Sequence, residues 1–301
     1  MKKYTKRKKY TKRKKYTKRK KYTKREKYTK RKKYTKRKKY TKYKKYSKRK
    51  KQIFQKGGKN ILPVLPEVLT NDNIRKYIKA FLEGNPEGKQ KKGMLHISKW
   101  DVSGVTNMTK LFSGDKQFNQ PLNKWDVSNV TDMTYMFSGA SSFNQPLDKW
   151  DVSKVTDMSF MFFKASSFNK PLDKWDVSKV TDMAAMFSGA ISFNQSLNKW
   201  DVSNVTNMQA MFFQASSFSK PLNKWDVSKV TDMSHMFRSA SSFNQSLYNW
   251  DVSNVTYMTS MFQSATNFNQ NISSWNVYET TFMEYIFEGT RMERRNHYFP
   301  R

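Results

Sequence analysis

Residues 118–142 read Phe-Asn-Gln-Pro-Leu-Asn-Lys-Trp-Asp-Val-Ser-Asn-Val-Thr-Asp-Met-Thr-Tyr-Met-Phe-Ser-Gly-Ala-Ser-Ser, and this unit recurs every 25 residues without insertions from Ile97 onward. A strict period of this length predicts stacked coils, because one unit cannot bury its own apolar face. We therefore predict a repeat solenoid of eight coils over residues 97–292, about 38 Å long at ~4.8 Å per coil. All the tryptophans belong to the period: Trp100, Trp125, Trp150, Trp175, Trp200, Trp225, Trp250 and Trp275.

The spacing inside one unit predicts how each coil is folded. Leu122, Trp125 and Val127 follow the apolar spacing of a leucine-rich-repeat strand, which would turn Lys124 and Asp126 outward. We expect the Trp column to be the central apolar ladder of the solenoid.

A second apolar group follows in each unit. Val130, Met133, Met136 and Phe137 have helical spacing, and Thr131 is a suitable cap for a short turn. The fold class predicted is thus a leucine-rich-repeat-like solenoid with one short parallel strand and one short helix or 3-10 turn per coil. A propeller is excluded because its blades need roughly 40–45 residues. The paired methionines are interpreted as core residues and not as a soft-metal site.

The repeated string Phe-Asn-Gln-Pro-Leu-x-x-Trp-Asp-Val-Ser-x-Val-Thr-x-Met-x-x-Met-Phe resembles the BspA-type leucine-rich-repeat surface proteins. The same repeat occurs in mycoplasma lipoproteins of unknown function and in many proteins of giant DNA viruses. The resemblance covers residues 97–292 and implies a right-handed solenoid and, for some surface members, adhesion to host proteins. Bacterial surface members begin with a signal or lipid-anchor sequence, whereas this chain begins with a basic tail. Adhesion is therefore not carried over, and the chain looks more like a giant-virus member.

The basic charge is concentrated in the first 51 residues. The whole chain has a formal net charge of +36, and residues 1–51 contribute 32 Lys+Arg against the single acid Glu26. They repeat Lys-Tyr-Thr-Lys-Arg-Lys, a pattern that forms no apolar stripe, so we predict a disordered tail over residues 1–56. The residues predicted to bind polyanions are Lys2, Lys3, Arg7, Arg13, Arg19, Arg25, Arg31, Arg37, Arg49, Tyr10, Tyr16 and Tyr22.

Lysine and arginine release counterions from phosphates, and interleaved tyrosines stack on unpaired bases. Nucleic acid, bound without base specificity, is therefore the partner predicted for the tail. Adhesion to an anionic membrane, a targeting role and a merely solubilising role are the alternatives.

Between the tail and the repeats, residues 57–96 are predicted to form a linker and an N-terminal capping helix. Ile74, Tyr77, Ile78, Phe81 and Leu82 share one helical face, which would cover the open apolar end of the first coil. Residues 293–301 are assigned as a C-terminal tail.

Two charged columns flank the Trp column. Lys precedes each Trp in the first six coils and Asp follows it in the first seven, so stacked coils would place like charges about 4.8 Å apart. We expect the Lys column to compensate the Asp column. The possible protein-binding face is Lys149, Asp151, Lys174, Asp176, Ser178, Lys199, Asp201, Lys224 and Asp226. The favoured interpretation of the Asp column is nevertheless structural, either a mutually neutralised, solvated face or Asp bonded to loop amides, and a recognition face and a cation site are the alternatives.

No residue pattern indicates an enzyme. The chain has no Cys, and His96, His235 and His297 lie far apart in the sequence, so we predict no catalytic residue, cofactor or metal site. The function predicted is protein binding by the solenoid combined with polyanion binding by the tail. The alternative is a structural or packaging component of a virion in which the solenoid is a rigid spacer. No transmembrane or secretion segment is recognised, so an intracellular or virion location is expected.

Overall fold

The computed structural model describes residues 68–84, 96–279 and 281–292. The chain divides into two units, Met1–Ile61 and Leu62–Arg301, and all described residues belong to the second unit. The predicted basic tail, the first part of the linker and the C-terminal tail lie outside the described residues.

The helix predicted before the repeats is present as α1, Ile74–Gly84. Its apolar face buries Ile74, Ile78 and Phe81, and the Phe81 ring contacts Trp100 edge-on with centroids 5.7 Å apart. A 3-10 turn, Ile97–Lys99, leads into the first coil. None of the helices in the described part of the chain is long and apolar enough to cross a membrane.

The coils are joined by parallel backbone contacts at the seventh residue after each Trp. Around Asp132, for example, the amides of Met133, Tyr135 and Phe137 donate to carbonyls of the next coil at 2.9–3.1 Å. Every second amide therefore donates along the solenoid axis to the next coil. The pattern is that of a parallel sheet in which each strand is reduced to a single bridged residue. The bridged positions are Asn107, Asp132, Asp157, Asp182, Asn207, Asp232, Tyr257 and Phe282.

The strand predicted over Leu122–Val127 is wrong. This segment is a turn, with the Trp125 amide donating to the Leu122 carbonyl at 2.9 Å. The apolar spacing misled because two successive turns bury the same three side chains that a strand would bury. The parallel bridge of this coil lies at Asp132, after Val130, where polar and apolar residues alternate irregularly.

The helix predicted from Val130 to Phe137 is also wrong. Within the described coils after Lys99 there is no helix, and the spacing of three comes from consecutive turns such as Met136 N–H to Met133 C=O at 3.1 Å. Residues with a left-handed backbone, of positive φ, interrupt these turns. They orient every second amide toward the next coil. They lie ten and fourteen residues after each Trp, as at Tyr135 with φ 57° and Gly139 with φ 71°.

Three aromatic columns fill the core. The Trp column is buried, as predicted, and its rings stack in register, with Trp150–Trp175 at 6.3 Å and Trp175–Trp200 at 6.4 Å between centroids. Two Phe columns lie beside it, and Phe137 stacks on Phe143 of the same coil at 4.1 Å. Because all three columns stack in register, a coil shifted along the sequence would lose its aromatic contacts with both neighbours.

The Trp column is also hydrogen-bonded between coils. The indole N–H of Trp175 donates to the Leu147 carbonyl at 3.0 Å, and the same contact recurs for every Trp from Trp125 to Trp275. Each buried indole therefore has a fixed partner in the preceding coil.

A column of asparagines, six residues before the Trp of each coil, joins successive coils by hydrogen bonds. The Asn144 side-chain oxygen accepts the Asn169 amide at 3.0 Å, and Asn169 in turn accepts the Asn194 amide at 3.0 Å. Ser219 interrupts this column, since its backbone amide donates to the Asn194 side-chain oxygen at 3.1 Å but its own side chain has no amide oxygen to offer to the next coil.

We predict that Trp175→Phe destabilises the solenoid by about 1–3 kcal/mol, because the Leu147 carbonyl loses one of its two buried donors. Trp175→Ala should cost about 3–5 kcal/mol, since it also opens a cavity in the aromatic column. Urea unfolding followed by circular dichroism measures both. Equal midpoints for Trp175→Phe and the parent chain would show that the indole hydrogen bond contributes nothing.

A second prediction concerns the left-handed residue Gln214, whose φ is 56°. Gln214→Gly should raise stability relative to Gln214→Ala by about 1 kcal/mol, because only the alanine keeps a Cβ in this conformation. The alanine variant is the matched control, since it loses the same side-chain contacts. A more stable alanine variant in thermal unfolding would mean that this position is not strained.

Candidate functional site: the charged columns beside the tryptophans

The residues predicted as a binding face lie together on one side of the central coils. In the central coils each buried Trp lies in the sequence between an exposed Lys and an exposed Asp. The lysines Lys149, Lys174, Lys199 and Lys224 and the aspartates Asp151, Asp176, Asp201 and Asp226 are exposed, and Ser178 is half-buried.

Each Asp of this column is held by the Ser two residues later. Asp176 Oδ1 accepts the Ser178 amide at 3.1 Å and the Ser178 hydroxyl at 2.6 Å. The same pair of bonds occurs at Asp151 and Asp201. The side chain therefore closes the turn that follows the Trp, which is the structural role that the sequence favoured for this column.

The Lys column does not neutralise the Asp column by ion pairing. In the described segments the ion pairs are Lys79–Glu83 and Lys199–Asp173, with N–O distances of 3.7 and 3.6 Å. Asp173 precedes its Trp by two residues and is not a member of the column. In the described residues the two columns thus form no ion pair with each other, because Ser holds the carboxylates, and compensation of the Asp column at longer range stays a prediction.

The hydrogen bonds from Ser also change the acidity of the column. Donation by the Ser178 hydroxyl, and then by its amide, lowers the pKa of Asp176 below its ordinary value. The Ser228 and Ser253 donors lower the pKa of Asp226 and Asp251 in the same way. These carboxylates remain charged over the whole physiological range.

Sequence reasoning missed a second acidic column, formed by Asp132, Asp157, Asp182 and Asp232 at the bridged positions. These side chains are half-buried, and Asp132 Oδ2 accepts the Asn107 side-chain amide at 3.0 Å. Burial, together with the charges of Asp157 and Asp232, raises the pKa of Asp182. The signal was the Val-Thr-Asp/Asn-Met string of the first six units, whose apolar spacing had been interpreted as helical.

No part of the described structure gathers metal ligands. Groups of three or more His, Cys, Asp or Glu side chains in metal-binding proximity are absent from residues 68–84, 96–279 and 281–292. His235 is half-buried, with a pKa lowered by burial and by the nearby Arg238. The predicted polyanion-binding residues, Lys2 to Arg49, lie outside the described residues.

Parallel bridges every 25 residues, a stacked aromatic core and exposed charged columns together define a tandem-repeat solenoid. Two stretches of the chain, residues 87–200 and 191–298, match the family described as "Mycoplasma protein of unknown function, DUF285". The chain therefore belongs to this family of repeat proteins. Comparison with curated proteins and with solved structures found no match.

The lowered pKa values predict how stability depends on acidity. Because the folded-state pKa of Asp176 and Asp226 lies below the unfolded value of about 3.9, their stabilisation is complete above that pH and is lost as pH falls through the folded pKa. The double variant Asp176→Asn/Asp226→Asn keeps both acceptor oxygens but cannot titrate. It should lose less unfolding free energy than the parent between about pH 5 and pH 2.

The control for this experiment is Asp182→Asn. In the parent chain the pKa of the Asp182 carboxyl is raised, so this group does not contribute to the loss of unfolding free energy at low pH. The loss of unfolding free energy between about pH 5 and pH 2 should therefore not be smaller in this variant than in the parent. Identical pH profiles for the double variant and the parent in urea unfolding would contradict the proposed role of the serine donors.

Proposed function

We propose that this chain is a non-enzymatic interaction protein whose solenoid binds another protein and whose basic N-terminal arm binds polyanions. The observation that carries the first half is the pair of exposed charged columns on the central coils. Among the described residues their lysines form no ion pair with the aspartates of the column, although Lys199 pairs with Asp173, and their aspartates are fixed by serine. Fixed charges lose little conformational freedom when a partner docks.

The repeat makes this face regular. The Trp at the centre of each coil is anchored to the preceding coil through its indole, so the flanking charges follow one another at the spacing of the core. A partner with charges at the same spacing would engage several coils at once. We place the binding face on the coils from Trp150 to Trp225, since Asn249, Asn276 and Tyr278 interrupt the columns farther on.

The supporting observation for the arm is its composition. Thirty-two basic residues against one acid, interleaved with tyrosine, provide phosphate contacts and stacking surfaces. The described coils add little to this attraction, because 15 basic and 16 acidic residues nearly balance over residues 99–287.

A structural role is the second candidate function. The asparagine column and the buried indole hydrogen bonds both join one coil to the next. Such a rod would serve as a rigid spacer in a larger assembly, including a virion, with the arm as its targeting or solubilising segment.

The finer family assignment is also a proposal. We propose kinship with the BspA-type repeats and the right-handed winding of leucine-rich repeats from the Trp-Asp-Val-Ser string alone. An intracellular or virion location, as in giant viruses, is proposed from the same resemblance.

The face is tested by removing charge without removing the turn. Asp151→Asn/Asp176→Asn/Asp201→Asn keeps the Oδ1 acceptors, so the fold should survive, and binding of a partner captured by the parent chain should fall at least tenfold. The control is Asp132→Asn/Asp157→Asn/Asp182→Asn, with the same charge change on the other column. Charge reversal to Lys is a poorer test, because it also removes the acceptors of Ser153, Ser178 and Ser203.

Affinity capture with quantitative mass spectrometry, followed by titration of the recovered partner, gives the measurement. Equal affinity for all three proteins would place the interface elsewhere. Recovery of no stoichiometric partner by the parent would favour the spacer.

The arm is tested by salt dependence. If about ten phosphates are neutralised, log affinity for duplex DNA should fall with log salt concentration at a slope near −9. Deleting residues 1–51 should abolish binding, and replacing the arm tyrosines by Leu should weaken single-strand binding more than duplex binding. Fluorescence anisotropy measures each, and retained binding by the deletion variant at physiological salt contradicts the proposal.

A further inference from the structure

The central coils carry opposite charges in two parallel columns. From Trp150 to Trp225 the chain of each coil passes an exposed Lys, a buried Trp and an exposed Asp in succession. Two residues span at most about 7 Å, so the Lys and Asp columns belong to the same side of the solenoid. Because parallel bridges join the coils at a constant 25-residue period, the order Lys before Asp is the same in all four coils.

Both columns keep charged groups that a partner can reach. Asp176 accepts both bonds from Ser178 with Oδ1, and among the described residues none donates to its Oδ2. The same holds at Asp151 and Asp226. The ion pairs of the described segments leave three lysines of the column unpaired: Lys149, Lys174 and Lys224. Fixed carboxylates and unpaired ammonium groups are thus available on the same coils.

The charge around the two columns is balanced. Residues 148–154, 173–179, 198–204 and 223–229 contain seven Lys and six Asp. A strongly acidic partner would be repelled by the Asp column and a strongly basic one by the Lys column. The partner therefore has to present both signs, in two columns, at the spacing of one coil. Within the described structure the chain itself presents that pattern.

The charge pattern is complementary to itself when two solenoids run parallel. A twofold axis parallel to the solenoid axis reverses the order of Lys and Asp across the face but keeps the order of the coils. The Lys column of each copy then lies opposite the Asp column of the other. A twofold axis across the columns would reverse the order of the coils instead and place Lys opposite Lys, which is repulsive.

We infer that the partner of this face is a second copy of the chain, bound parallel and in register through the Lys and Asp columns. The inference rests on the binding face of the proposed function and names its partner. Four Lys and four Asp on each copy form eight facing pairs. One exposed ion pair contributes little, but a network in which Ser already fixes the carboxylates orders fewer side chains for each pair that forms.

Sedimentation equilibrium of the full chain, freed of nucleic acid by nuclease and high salt, measures the dimer. The salt concentration is 0.15 M, at which the like charges of the two basic arms are screened beyond about 8 Å. The acidic-face variant, Lys149→Glu/Lys174→Glu/Lys224→Glu, turns six of the eight pairs into like charges. Its dimer dissociation constant should rise by about tenfold or more relative to the parent chain. Lys199 is left unchanged because it pairs with Asp173.

The control for net charge is Lys110→Glu/Lys116→Glu/Lys164→Glu. It makes the same charge change at exposed lysines outside the two columns. Because general repulsion between the copies falls equally in both variants, the dissociation constant of the control should not exceed that of the parent chain.

A mixture of two variants tests whether opposite charges face each other. The neutral variant, Asp151→Asn/Asp176→Asn/Asp226→Asn, keeps the Oδ1 acceptors of the serines and loses the negative charges. In a dimer with the acidic-face variant, its lysines lie opposite aspartates and its uncharged amides lie opposite the introduced carboxylates. The mixed dimer should therefore form about tenfold more tightly than the dimer of the acidic-face variant alone.

Fluorescence energy transfer determines the orientation of the two copies. The chain contains no Cys, so Gln117→Cys and Asn267→Cys each introduce a single thiol, at exposed and equivalent positions of the coils of Trp100 and Trp250. These positions are about 29 Å apart along the axis at ~4.8 Å per coil. With the donor dye on Gln117→Cys copies, energy transfer should be greater to acceptors on Gln117→Cys copies than to acceptors on Asn267→Cys copies.

A monomeric parent chain overturns the inference, as does a dissociation constant that the acidic-face variant leaves unchanged or that the control raises equally. No gain on mixing, or greater energy transfer to the Asn267→Cys copies, overturns it as well. The proposed function fails separately, when a captured partner binds the Asp151→Asn/Asp176→Asn/Asp201→Asn variant as tightly as the parent. A monomeric chain that binds a different protein through this face would overturn the inference and leave the proposed function intact.

Discussion

In each coil from Trp100 to Trp250 one carbonyl accepts two buried donors, and the register of the whole solenoid follows from it. The Leu147 carbonyl accepts the Trp150 amide of its own coil at 3.1 Å and the Trp175 indole of the next coil at 3.0 Å. A buried N–H without a partner costs about 1–3 kcal/mol. Each Trp is thus confined to one position over the preceding coil, which explains why the 25-residue period admits no insertion.

This constraint separates the core from the surface. Because the indole bond, the Phe columns and the bridges fix the backbone, positions that project outward can vary without disturbing the stack. The tenth residue after Trp illustrates this freedom, since Lys110, Phe160, Ala185 and His235 share the same left-handed backbone with φ between 51° and 59°. Surface chemistry can therefore differ between coils while the fold stays the same.

The sequence was sufficient for the period, the capping helix and the buried Trp column, because these depend on apolar spacing alone. It was insufficient for the secondary structure inside a coil. A turn-based coil buries Leu122, Trp125 and Val127 as a strand would, and its left-handed residues include Tyr135 and Lys164, which no glycine signal marks. The bond from Ser178 to Asp176 belongs to the structural interpretation that the sequence favoured, but the sequence could not identify the donor, since Asp-Val-Ser occurs in exposed and in structural turns alike.

The two ends of the solenoid show how such a fold can be closed in different ways. At the first coil a separate segment supplies the missing pairing, with Asn71 and Arg75 bonding to backbone groups of the coil and Phe81 packing on Trp100. At the last coil the repeat itself changes, since lysine disappears and aromatic residues take polar positions. A substitution made only to seal the core would be buried, whereas Tyr278 and Tyr285 are mostly exposed. The chemistry of the last coils is therefore directed outward, and the solenoid has a different surface at its end than along its central coils.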